Sequence, residues 1–206
     1  MIFPRERSTI RPTFLALLSM TFLGACGDGD GGTAPADGLD PGTAEITVTG
    51  EVAYSGRAEA FYGSSLDPDG SGLYVHIVVL APTEGEGGFF YFVNASASED
   101  FPSGNFQFFD ASQDDLDDDG LAAFQDRFAF IYFSSGQGGI PVVALSNSGT
   151  LSLQTSSGSV AGEFQATASG QRFSPETGEV EEITLQADGS FNAEGGEVNF
   201  PLGGGF

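Results

Sequence analysis

From Glu45 onward, large apolar residues fall at alternate positions, and a chain patterned that way can bury one face only as extended strand. Within Glu45–Tyr54, Ile46, Val48, Val52 and Tyr54 share one side, which predicts a half-buried antiparallel strand. The alternation recurs at Leu151 and Leu153, at Val160, Phe164, Ala166 and Ala168, at Ile183 and Leu185, and at Val198 and Phe200. Turn chemistry separates these runs: Ser55-Gly56, Asp69-Gly70, Gly87-Gly88, Ser103-Gly104, Ser148-Gly149, Ser157-Gly158 and Asp188-Gly189. Three further segments, Leu73–Ala81, Gly88–Val93 and Phe128–Phe133, are apolar on both sides and are expected as central strands covered on both faces. No long amphipathic helix pattern is present, and Leu116–Phe128 has room for one short turn only. About ten strands joined by short turns predict an all-β fold, an antiparallel β-sandwich, with a closed β-barrel as the alternative.

The aromatic content is 20 Phe, 5 Tyr and no Trp. Phe89-Phe90-Tyr91-Phe92 and Phe128–Phe133 are expected to fill the core, since aromatic residues at strand spacing are normally buried mass. Val198, Phe200, Leu202 and Phe206 alternate as the last strand of an outer-membrane barrel does, but Pro201 and the glycines at 203–205 interrupt them. A membrane-spanning barrel is therefore not expected.

The first residues follow different rules. Arg5, Arg7 and Arg11 precede an apolar run from Thr13 to Ala25, followed by Cys26, the single cysteine of the chain. That run falls short of the roughly 20 apolar residues a spanning helix needs, and reads as a processed export signal. Leu23-Gly24-Ala25-Cys26 resembles the lipobox of bacterial lipoproteins. The resemblance implies residues 1–25 as signal peptide and Cys26 as the lipidated first residue, holding the protein at a membrane through its acyl chains. Gly27 rather than Asp follows the cysteine, which by the same resemblance favours the outer membrane of a Gram-negative envelope. A lipidated Cys26 leaves no thiol for a disulfide. Residues 26–44, rich in Gly, Asp and Pro and nearly devoid of large apolar side chains, are expected as a flexible tether, and 45–206 as the β-domain.

Beyond the signal, 28 acidic residues face only Arg57, Arg127 and Arg172, and there is no lysine, leaving a formal charge of −25. Such a surface repels nucleic acid and anionic lipid headgroups, so neither is an expected partner. An unidentified envelope protein or a glycan is.

The most specific chemical pattern is Asp115-Leu-Asp117-Asp-Asp119-Gly120-Leu121-Ala-Ala-Phe-Gln-Asp126. It resembles the calcium loop of EF-hand and dockerin-like proteins, with carboxylates at its first, third, fifth and twelfth places and Gly at the sixth. The resemblance implies side-chain ligands from Asp115, Asp117, Asp119 and Asp126 and a backbone carbonyl from Leu121. Asp126 stands where the loop usually carries Glu, and no flanking helices are evident. Asp67-Pro-Asp69-Gly-Ser71-Gly72 shares only the first half of the pattern and is expected as a plain turn.

Catalytic signatures are sparse. His76, the one histidine, lies in the apolar run Tyr74–Val79, where a satisfied or edge-facing histidine is expected rather than a base. One His and no available Cys exclude the common zinc sites, and the absence of lysine excludes amine chemistry. No G-x-S-x-G elbow or phosphate-binding glycine loop is found. The stretch Gly149–Ala168, with Gly189–Ala193, is similar to the closing hairpins of uncharacterised bacterial β-sandwich lipoproteins, which implies fold and location alone. The expected function is a non-enzymatic binding or structural module of the cell envelope, with calcium as its only candidate cofactor; the alternative is a carboxylate-dependent glycan hydrolase.

Overall fold

The computed structural model describes residues 38–67, 70–83, 88–111, 123–134, 142–173 and 178–196. Nine strands make up this part: β1 (Thr43–Gly50), β2 (Tyr54–Leu66), β3 (Tyr74–Pro82), β4 (Phe89–Ser96), β5 (Gly104–Gln107), β6 (Ala129–Ser134), β7 (Val142–Ser156), β8 (Ser159–Phe173) and β9 (Val180–Gly195). The all-β expectation holds, and every long pairing is antiparallel. One face, β3, β4 and β6, packs against β8 and β9 across a common core, a sandwich-like arrangement. Phe92 on β4 meets Phe164 on β8 at 4.8 Å and Phe191 on β9 at 5.5 Å, and Phe130 on β6 meets Phe164 at 6.1 Å. The two faces are not separate sheets, however. β7 links β6 to β8, and β1 and β2 link β9 to β3, so the pairings run round the core and return to their start. That continuity belongs to the barrel alternative.

Period-two patterning fixes which side chains enter the core. Ala44, Ile46 and Val48 on β1, Phe90 and Phe92 on β4, and Ile183, Leu185 and Ala187 on β9 are all at most 2 % exposed, while the residues between them on β1 and β9 face outward. The three strands apolar on both sides are central, as expected, because a second cluster covers their outer face. There Ile77, Val79, Tyr91, Val93 and Ile131 pack under Phe109, Ala111, Ala123 and Phe124. Arg127 clamps this cover: Nε and Nη2 donate to the Ala123 carbonyl at 3.1 and 2.7 Å, and the guanidinium lies 4.4 Å from the Phe109 ring centre. A 3-10 turn at Ala123–Phe124 is the only helical feature among the described residues.

Three sequence expectations need correction. Glu45–Tyr54 is not one strand, because the chain turns between β1 and β2 and brings Tyr54 opposite Val48. Gly50, at φ 114°, ends β1, and Glu51 holds the corner by taking the Thr184 N–H on its carboxylate at 2.9 Å. The tether also ends earlier than its composition suggests. Thr43 and Ala44 lie in β1, Ala44 is fully buried, and Asn192 donates to the Leu39 carbonyl at 3.0 Å.

The third correction concerns glycine. Ser55-Gly56, Ser148-Gly149 and Asp188-Gly189 are not turns but lie inside β2, β7 and β9. Gly149 and Gly189 permit close approach between strands, whereas Gly56 leaves room for the Tyr54 ring of its own strand. A Cβ on Gly189 would sit 2.3 Å from the Glu45 carbonyl oxygen and 3.0 Å from the Phe164 ring, and one on Gly162 would sit 2.6 Å from the Phe191 ring. Phe164 is paired with Gly189, and Phe191 with Gly162, so each ring covers the gap its neighbour leaves. A bulge between Ser146 and Ser148 lets β7 continue past such a corner.

Candidate functional site

A hollow of about 800 Å³ lies on the outer side of the face made by β2, β1, β9, β8, β7 and β5. Its floor is the backbone at Gly56, Ile46, Gly189, Phe164, Leu151 and Phe106, residues in register across six strands. Ile46, Leu151 and Phe164 are only 1–3 % exposed, so their side chains point to the core and leave the main chain as floor. Without an inward side chain at 189, the main chain there lies against the Phe164 ring, while at 56 the space inward is taken by the Tyr54 ring.

Two ladders of outward side chains border this floor. One runs Arg57, Glu45, Ser190, Glu163, Ser152, Asn105 from β2 to β5. The other runs Ser55, Thr47, Asp188, Gln165, Thr150, Gln107. Eight of these twelve are hydroxyl or amide side chains, three are carboxylates and one is a guanidinium. Arg57 Nε lies 3.7 Å from Glu45 Oε1, both side chains well exposed, a contact of little energetic weight. Thr47 and Ser55 hydroxyls are 3.5 Å apart on neighbouring strands. β5 is short and sends only Phe106 against the core, yet by pairing with the second half of β7 it extends the trough to a sixth strand.

None of these twelve residues was a candidate site residue in the sequence, where Arg57 counted only toward the charge and Ser55 and Asp188 only as turn residues. Each occupies a polar position in an alternating strand, and only the register brings them together. The residues that the sequence did single out lie elsewhere. Cys26, and Asp115, Asp117, Asp119 and Leu121 of the calcium loop, fall outside the described residues. Asp126 is described: it is exposed, has φ 56°, and donates its N–H to the Ala95 carbonyl at 2.9 Å. Among the described residues no three His, Cys, Asp or Glu side chains are grouped to hold a metal ion. Asp67 closes its turn by accepting the Ser71 N–H at 3.2 Å.

His76 is fully buried at one end of the core, against the Phe101 ring at 5.2 Å. Its Nε2 lies 3.0 Å from the Ser98 carbonyl, which can only accept, so Nε2 carries the proton. Nδ1 then accepts from the Ser64 hydroxyl at 2.7 Å. Desolvation lowers the pKa of the ring, opposed by the Ser98 bond, and keeps it neutral. Both nitrogens are engaged, the arrangement of a structural histidine that ties β2 and β3 to the chain after β4. No known protein family, curated protein or solved structure matches the chain.

Proposed function

We infer that this is a lipid-anchored binding module of the bacterial cell envelope, held by Cys26 and acting without catalysis. The trough carries the reading, because it gathers twelve outward polar side chains over a hollow large enough for a ligand. Removal of the signal, lipidation of Cys26 and a tether ending before Leu39 would put the domain outside the cytoplasm, at the surface of a membrane. Calcium, held by Asp115, Asp117, Asp119, Leu121 and Asp126, would be its cofactor, at a loop whose last residue is bonded to the Ala95 carbonyl. Supporting a non-catalytic role, His76 has both nitrogens committed to structural partners.

The alternative, a glycan hydrolase, draws on Glu45 and Glu163, which flank Ser190 from either side. Their backbones are separated by two strand spacings, about 9.6 Å, so the side chains would have to lean together over Ser190 to bring the carboxyl groups within the roughly 6.5–9.5 Å that inverting enzymes use. Two measurements test the reading together. The full chain should incorporate fatty acid and partition with membranes, and Cys26→Ala should abolish both. Purified envelope material should co-sediment the chain without releasing reducing ends, and a trough variant should lose the co-sedimentation. Reducing-end release that vanishes in Glu163→Gln would establish the hydrolase instead.

A further inference from the structure

We propose that the trough binds an uncharged glycan chain lying across the strands, one sugar ring to each strand. The inference rests on the binding-module reading above and names its ligand. Neighbouring strands are about 4.8 Å apart, so six strands present side-chain pairs at that repeat over a span of about 24 Å. The repeat is comparable to one pyranose ring with its glycosidic oxygen, and the span accommodates several. Each strand contributes two polar side chains, one from each ladder, placed on either side of the floor. A hydroxyl-rich polymer lying along that floor meets donors and acceptors at every step. Asn105, Gln107 and Gln165 offer both an N–H and a C=O, the five serines and threonines offer hydroxyls that do either, and Glu163 and Asp188 accept from sugar hydroxyls.

Charge selects among polymers. Arg57 lies against Glu45, so Glu163 and Asp188 leave the trough acidic, within a mature chain of formal charge −25. Polyuronates and sulfated glycans are repelled. A basic peptide is the competing occupant; its backbone could also bond the eight hydroxyl and amide side chains, but only Glu163 and Asp188 stand ready for its cations, whereas a neutral glycan meets hydroxyls, amides and carboxylates alike.

The test is affinity electrophoresis of the full chain in detergent, through gels containing a soluble uncharged polysaccharide, a polyuronate or polylysine. At least one uncharged polymer should retard the chain and the polyuronate should not. Gln165→Ala with Asp188→Ala should weaken retardation about tenfold or more, the loss expected when two polar anchors are removed. Gln186→Ala, on the same face of β9 beyond the hollow, should leave it unchanged. Thermal unfolding of the double variant at the wild-type temperature shows that the loss is local. Retardation by polylysine alone, or retardation by an uncharged polymer that survives the double substitution, overturns the proposal. If no uncharged polymer binds while co-sedimentation with envelope material persists, the ligand class is wrong and the binding module stands. If both fail, both fall.

Discussion

Phe92→Ala tests the packing that unites the two faces of this fold. Phe92 is fully buried, and its ring centre lies 6.0 Å from Phe108, 5.7 Å from Phe130, 4.8 Å from Phe164 and 5.5 Å from Phe191. Those four rings sit on or beside different strands of a closed hydrogen-bonded circuit, so none can move into the space without displacing main chain. Phenylalanine to alanine in a core costs about 3–5 kcal/mol, and a site that cannot collapse belongs at the upper end, about 4–5 kcal/mol. A domain of this size has roughly 5–15 kcal/mol in total, so the variant should lose about a quarter or more of its stability. At about 2–4 °C per kcal/mol, Tm should fall by roughly 8–20 °C. Urea titration followed by far-ultraviolet circular dichroism gives the value, and Phe89→Ala, at a ring 45 % exposed, should stay within about 0.5 kcal/mol of wild type. A double-mutant cycle with Phe164→Ala should show coupling of about 0.5–1.5 kcal/mol across the core. A Phe92→Ala cost below about 1 kcal/mol, or one equal to Phe89→Ala, would refute this account.

Three further outcomes are expected. Gly170→Ala places a Cβ 1.8 Å from the Val143 carbonyl oxygen and should cost more than about 3 kcal/mol, whereas Gly158→Ala, in an open turn at φ 98°, should cost about 1–2 kcal/mol; urea midpoints compare them. Because the folded pKa of His76 is lowered, the unfolded chain takes up the proton first: stability is fully present above about pH 6.5 and is lost as pH falls through the folded value. Replacing His76 with Phe should remove that component of the pH dependence, and an unchanged difference between pH 7 and pH 5 would contradict the buried neutral ring. Arg127→Met should cost about 1–3 kcal/mol by removing two charged donors to the Ala123 carbonyl. It should also raise hydrogen exchange over 108–111 and 123–127 while leaving β8 and β9 protected, measured by mass spectrometry.

Strand content was legible because alternation is a local property. Val160, Phe164, Ala166 and Ala168 announce the buried side of β8 without reference to any partner, and Leu73–Ala81 announces a strand covered twice. Gly189 shows where that legibility ends. Asp-Gly is a turn signal when the neighbouring strand is unknown, yet here Phe164 lies beside the glycine and the Glu45 carbonyl lies too close for any side chain. The same limit hid the trough. Glu163, Ser190 and Glu45 are unremarkable outward residues on three strands, and their alignment follows from two registers, one of which joins segments more than 100 residues apart in sequence. The acidic loop was the reverse case, conspicuous because its spacing is local.

The circuit of strands also bears on the order in which the domain can form. β1–β4 are successive neighbours and can pair as they emerge, but β1 finds its second partner only when β9 arrives, joining Thr43 to Asn192. Contacts of such long sequence separation slow folding, since the loop must be closed before the pairing repays it. A chain delivered from its N-terminus therefore leaves one edge of β1 open until β9 has been released. Completion of the domain is in effect a length check: a product truncated before β9 lacks its clasp, exposes that edge, and becomes a substrate for proteolysis rather than a shorter working protein.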